Sequence, residues 1–213
     1  MLSKNIIKND LFKNFVSLDE KKVEISLRDK INRGEDIKEI IHELRSALFE
    51  IGKLFEKETY FIPDLIFAGE IMRNCNKILE PYINRIEIEK RGTIILGTVF
   101  GDVHDLGKNL VKMLLENSGF EVIDLGVNVS PGSFTEEIKK RDAKLIGLSC
   151  LLTMSFNSIN DTVELIKKEG LRDKIKIMIG GAPVTELVRK KTGCDYYCKD
   201  AYEGVKTAFK IYG

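Results

Sequence analysis

The sequence predicts an α/β protein in two parts, an N-terminal antiparallel helix bundle followed by a doubly wound, five-stranded parallel sheet. Three observations lead there. Before residue 84, apolar residues recur at spacings of three and four and no convincing strand pattern occurs. After residue 92, short apolar runs alternate with helical stretches. Between them, residues 84–92 (NRIEIEKRG) are charged and read as a linker, which puts the expected boundary between residues 88 and 89.

In the first part a helical stretch covers 20–32 and ends at Gly34. From Asp36 the series Ile37, Ile40, Ile41, Leu44, Leu48, Ile51, Leu54, Phe55 marks an amphipathic helix. Phe61-Ile62-Pro63 interrupts it, and Pro63 suits the first turn of a further helix carrying Leu65, Ile66, Ala68, Ile71, Met72, Cys75 and Leu79. In the second part strands are expected at 93–99, 121–125, 145–149, 176–179 and, weakly, 196–197. Helices are expected at 106–117, 133–141, 155–168, 185–191 and 201–211. Five such βα units imply a parallel sheet, whose ligands bind at the C-terminal strand ends where strand order reverses.

Composition narrows the function. With 34 basic against 33 acidic residues the net charge is +1, so the basic excess of a nucleic-acid binder is missing. No stretch reaches the roughly 18 to 20 apolar residues that a membrane span needs. The opening MLSKNIIKNDLFKN lacks the pattern of a signal peptide, and a cytoplasmic location is expected. Cys75, Cys150, Cys194 and Cys198 form no C-x-x-C pair, so free thiols are expected. Cys194 and Cys198, four apart, are a weak hint of a metal site in a chain with two histidines. Of those, His42 reads as a surface or partly packed helix residue.

The chemistry is expected in the loops after the first, third and fourth strands. The first runs Gly101-Asp102-Val103-His104-Asp105-Leu106-Gly107. An imidazole here can offer one nitrogen to a metal, while Asp102 takes the other and fixes the tautomer. Gly101 and Gly107 permit tight turns or the close approach of a large flat ligand. An isolated D-x-H-x-x-G equally suits a loop histidine that merely caps the helix. The second loop, 148–155, carries Ser149, Leu151, Thr153 and Ser155, and by itself reads as a helix N-cap. The third contains Gly180-Gly181, which let the backbone approach a ligand or simply turn.

Taken together, Asp102/His104/Gly107, Ser149/Leu151 and Gly180/Gly181 resemble the cobalamin-binding domain of corrinoid proteins, where D-x-H-x-x-G, S-x-L and a Gly-Gly pair occur in this order. The resemblance implies a flavodoxin-like sheet and a cobalamin or related corrinoid, as methylcobalamin in the loaded state. It implies that His104 is the lower cobalt ligand in place of the cofactor's own base. That base is then buried as a tail beside Ser149 and the two glycines. It also implies a His104–Asp102–Ser155 relay below cobalt, and contacts from Gly101, Val103, Asp105, Thr153, Tyr197 and Ala201. Tyr196 departs from the small residue common at its position.

Gly52-Lys53-Leu54-Phe55-Glu56 with Tyr60-Phe61-Ile62-Pro63 resembles the helical cap of methyl-transferring corrinoid proteins, including cobalamin-dependent methionine synthase. Phe55, Ile62 and Leu65 match the positions that shield the methyl face, although an apolar helix stripe is ordinarily core. The resemblance spans roughly residues 35–213 and implies a cap domain at 1–88 and a cobalamin-binding domain at 89–213. It implies a carrier that is not catalytic alone. The carrier would move a methyl group from a substrate-specific corrinoid methyltransferase to a second one acting on a pterin (tetrahydrofolate) or a thiol (coenzyme M), with a reductive activase as further partner. Residues 84–92 would be the hinge that lets the cap move. A cobalamin-binding subunit of another B12 enzyme, or a B12-dependent regulator, is the alternative. A regulator would need a basic DNA-binding helix pair, for which the stretch before Asp19 is too short.

Overall fold

The computed structural model describes residues 11–83 and 90–213. The chain divides into two compact units, Met1–Ile88 and Glu89–Gly213. Residues 84–89 of the expected hinge lie outside the described residues.

The first unit is helical: α1 Leu11–Val16, α2 Glu20–Asn32, α3 Ile37–Glu56 and α4 Ile62–Ile83. Asp19 caps α2 by accepting from the Lys22 N–H, and Asp36 caps α3 by accepting from Lys38 N–H. In α3 the apolar spacing becomes a buried stripe of Ile40, Ile41, Leu44, Ala47, Leu48 and Ile51. Pro63 sits in the first turn of α4, where its missing N–H costs nothing. Helix α1 is absent from the sequence-based expectation. Its six residues are too few to display a period, yet Leu11 and Phe15 are fully buried. The Tyr60 hydroxyl, donating to Val16 O at 2.7 Å, fastens the end of α1 to the turn before α4.

The second unit alternates β1 Thr93–Thr98, α5 Leu106–Asn117, β2 Glu121–Asp124, α6 Pro131–Lys140, β3 Ala143–Ser149, α7 Phe156–Lys168, β4 Lys176–Gly180, α8 Glu186–Thr192, β5 Tyr196–Cys198 and α9 Ala201–Tyr212. A single turn of 3-10 helix, Thr153–Ser155, precedes α7. All strand pairs are parallel and the order is β2-β1-β3-β4-β5. This is the flavodoxin-like doubly wound sheet, with its switch point between β1 and β3. Helices α5 and α9 pack together, as do α6, α7 and α8. The central strands β1, β3 and β4 are mostly apolar and buried because both faces are covered, while the edge strands β2 and β5 are largely half-buried.

Register determines where the loops emerge. Thr98 stands opposite Ser149, Ser149 opposite Gly180, and Gly180 opposite Cys198. The strand ends are therefore level, and the loops after β1, β3 and β4 leave the sheet side by side. At the opposite end the Tyr212 hydroxyl bonds the Thr93 carbonyl and accepts from Lys144 N–H. No described helix is long and apolar enough to cross a membrane.

Candidate functional site

The loop after β1 is organised around Asp102, whose side chain is fully buried. Its Oδ1 accepts from the His104 backbone N–H at 3.0 Å and from His104 Nδ1 at 2.7 Å. Its Oδ2 accepts from the Leu151 N–H at 2.6 Å and the Leu152 N–H at 3.0 Å. Burial pushes this carboxyl's pKa up, but the hydrogen bonds from His104, Leu151 and Leu152 win and lower it to about 2. The group is therefore an anion at neutral pH. An ionised carboxylate only accepts, so Nδ1 carries a proton, and the tautomer this selects leaves Nε2 as the lone pair that a metal would take. With 48% of its side chain exposed, His104 can offer that lone pair to a ligand.

Two residues that the sequence reading did not single out complete this loop. The Thr98 hydroxyl donates to the His104 carbonyl at 2.8 Å. Asn128, in the left-handed region at φ +53°, accepts the Gly101 N–H at Oδ1 (2.8 Å) and donates its own N–H to the Asp102 carbonyl (2.8 Å). An asparagine after a strand, tolerant of positive φ, was the available signal for Asn128. Asp105 occupies the N-cap position of α5 without a capping bond and accepts from Asn109 Nδ2 at 3.0 Å. Buried Lys108 pairs with Asp124 at 2.7 Å, tying the first turn of α5 to the end of β2.

The loops after β3 and β4 meet beside this one. Cys150 N–H donates to the Gly180 carbonyl at 3.0 Å. Gly181 has φ +132°, and a Cβ there would stand 1.9 Å from the Cys150 carbonyl oxygen, so no other residue fits without moving backbone. Ser149 and Gly180 are half-buried, Gly181 is exposed, Tyr197 is half-buried in β5, and Ala201 opens α9 behind its Asp200 cap. Thr153 and Gly107 are exposed, and nothing lies within 4 Å of a Cβ built on Gly107. Burial first, then the nearby Asp102 charge, pushes the Cys150 thiol up to about 11.

Two expectations change. Ser155 is buried, but its hydroxyl is not among the donors to Asp102; a Cβ on Gly101 would stand 3.2 Å from Ser155 Oγ. Asp102 Oδ2 accepts from two backbone N–H groups. In the helical unit, Ile62 is exposed and Phe55 half-buried, but Leu65 is fully buried. Leu65 shares the period that buries Ala68, Met72, Cys75 and Leu79, so it offers no face to a ligand. Phe61, Ile66 and Phe67 are exposed there and were not singled out.

The donor and its surroundings fit a corrinoid. The loops after β1 and β3 expose Phe100, Val103, Leu106, Leu151 and Met154, the last at 80%. Apolar side chains so exposed, grouped in the loops that carry His104, suit a large, flat, mostly apolar ligand. A lone imidazole nitrogen among them suits a metal that needs one axial donor from the protein. Fold and site thus fit the class of proteins that bind a metal macrocycle on a doubly wound sheet.

Comparison with known proteins agrees. Residues 92–209 match the B12 binding domain family, and residues 7–80 match a second family also described as a B12 binding domain. Dimethylamine corrinoid protein 3 of Methanosarcina acetivorans is 41% identical over 174 residues, covering 81% of this chain and 82% of that protein. Dimethylamine corrinoid protein 2 of the same organism is 38% identical over 213 residues, covering 99% and 98%. The crystal structure of a cobalamin-binding protein from Desulfitobacterium hafniense is 34% identical with a TM-score of 0.83, over 96% of this chain and 98% of that one. The methanol:cobalamin methyltransferase complex of Methanosarcina barkeri shares the fold at TM-score 0.81 and 22% identity, over 98% of this chain and 80% of that one. The chain belongs to the B12-binding family, as one of its corrinoid methyl-carrier proteins.

Proposed function

We propose that this corrinoid protein carries a methyl group from a methyltransferase specific for a methylated amine to a second methyltransferase whose acceptor is a pterin such as tetrahydrofolate or a thiol such as coenzyme M. A reductive activase is the third partner, and the cytoplasm is the place of work. The observation that carries the reading is the half-exposed His104 imidazole, held at Nδ1 by buried Asp102 with Nε2 left as a donor. The names of the relatives, dimethylamine corrinoid proteins along almost the whole chain, favour an amine as methyl source. Four free, buried cysteines favour a reducing compartment.

When bound, the corrinoid supplies a cobalt centre that accepts and releases a methyl group; the protein supplies ligation, shielding and presentation. His104 would hold the metal through Nε2. Asp102 keeps the proton on Nδ1 and holds the ring in place. The exposed apolar residues of the loops after β1 and β3 would pack against the macrocycle and keep water from it. Ser149, Gly180, Gly181, Tyr197 and Ala201 would hold the cofactor tail, where glycines admit a ligand close to backbone. The helical unit would serve as the cap, with Phe55, Ile62 and the neighbouring Phe61, Ile66 and Phe67 as its apolar residues. The test is to reconstitute the protein with cobalamin, reduce it and mix it with a dimethylamine methyltransferase and dimethylamine. The visible spectrum then changes to that of methylated corrinoid, and does not with a methanol methyltransferase and methanol. Methylation from methanol alone would overturn the amine assignment.

A further inference from the structure

Asp102 holds the His104 ring and N–H, but another residue holds its carbonyl. Thr98, the last residue of β1, has its main chain fully used in pairing. Its N–H donates to the Gly126 carbonyl at 3.0 Å and its carbonyl accepts from Val129 N–H at 2.9 Å. The side chain is fully buried, where valine would match its shape and strand preference. A buried hydroxyl is costly unless it is bonded, and this one donates to the His104 carbonyl at 2.8 Å. His104 is thereby held at three atoms: N–H and Nδ1 by Asp102, and O by Thr98.

We propose that Thr98 is a positioning residue for His104, its hydroxyl locking the main chain of the histidine to the end of β1 so that Nε2 is aimed before the cofactor arrives. The inference rests on the reading of His104 as the cobalt ligand. A donor fixed in advance loses less freedom on ligation than one on a loose loop, so its ligation is tighter. Thr98 touches neither cobalt nor corrin; it acts through the backbone of His104.

The test compares Thr98→Val, which deletes the hydroxyl and keeps the shape, with Thr98→Ser, which keeps the hydroxyl. Histidine ligates Co(II) and is lost in Co(I), so weaker ligation raises the Co(II)/Co(I) midpoint potential. In the full-length, cobalamin-loaded protein, Thr98→Val weakens ligation about fivefold, which raises the midpoint by about 40 mV at 59 mV per tenfold. Thr98→Ser stays at the wild-type value. In the cofactor-free protein, hydrogen exchange of the His104 N–H speeds at least about fivefold in Thr98→Val and not in Thr98→Ser, as expected for a loop freed by one hydrogen bond. A merely structural threonine would lower the melting temperature and leave the potential alone; that result overturns the proposal. So does a Thr98→Ser shift as large as that of Thr98→Val. If Thr98→Val does not fold, Thr98→Ala removes the same hydroxyl without adding bulk and is read in the same way. Wild-type Co(II) protein with nitrogen-15 histidine shows whether the electron paramagnetic resonance splitting comes from histidine. If it does not, the ligand reading fails first; if it does and the potential of the hydroxyl-free variant is unmoved, the Thr98 inference fails alone.

Discussion

Replacing Asp102 by asparagine exchanges a four-fold acceptor for a group that accepts on one atom and donates on the other. In the native loop Oδ1 takes the His104 N–H and Nδ1–H, and Oδ2 takes the Leu151 and Leu152 N–H groups. Whichever way the asparagine amide turns, its NH2 faces one of these donor pairs. Turned toward β3 it leaves the Leu151 and Leu152 N–H groups unpaired, and turned toward His104 it leaves that residue's N–H unpaired and forces the other ring tautomer, at about 1–3 kcal/mol per unpaired group, or about 1–6 kcal/mol in all. Removing a buried charge returns part of that, because burial disfavours the carboxylate. A net loss of about 2–4 kcal/mol is expected at pH 7. Urea unfolding of the cofactor-free protein, followed by circular dichroism, should show it as a midpoint about 1–2 M lower with an unchanged slope. The pH dependence gives a second check. The folded-state pKa of Asp102 is lowered from 3.8 to about 2, so its contribution is complete above the unfolded value and is lost as pH falls from about 4 through about 2. The gap between wild type and Asp102→Asn should therefore narrow by about 2 kcal/mol between pH 5 and pH 2. A gap below about 0.5 kcal/mol at pH 7, or one that stays constant down to pH 2, would refute the four-acceptor account.

His104→Ala removes a half-exposed ring and should change stability by no more than about 1 kcal/mol. The nitrogen-15 histidine signature in the resonance spectrum of its Co(II) form should vanish, and retention of that signature would reassign the ligand. Gly181→Ala places a Cβ 1.9 Å from the Cys150 carbonyl at φ +132°. Overpacking and strain together should cost at least about 3 kcal/mol and weaken cobalamin binding, measured by denaturation and by spectral titration. Leu65→Ala should cost about 2–5 kcal/mol, as a fully buried leucine does. Ile62→Ala, at an exposed position, should cost less than about 1 kcal/mol yet raise the photolysis yield of the methylated protein if the helical unit covers the methyl face. Equal yields in wild type and Ile62→Ala would remove Ile62 from that cover.

Alternation of period is a local property, and it sufficed to separate the helical part from the five βα units, whose loops after β1, β3 and β4 leave the sheet at one end. The Asp102–His104 pair was equally legible, because two residues on one short loop reach each other whatever the rest of the chain does. Helix α1 was not, since two buried anchors in six residues make no period. Partners brought together by the order of strands were beyond local pattern. The Leu151 and Leu152 N–H groups reach Asp102 because β3 lies beside β1, and Asn128 reaches Gly101 because β2 lies on its other side. The burial of Leu65 likewise followed from packing, since a helical period tells which residues share a stripe but not which stripe faces inward. The sequence by itself determined the element types, because period along the chain encodes them, and the resemblance of its three loop motifs to those of corrinoid proteins gave the cofactor class. Only the tertiary structure decided which groups hold His104, because hydrogen-bond partners are chosen by the adjacency of strands that lie tens of residues apart.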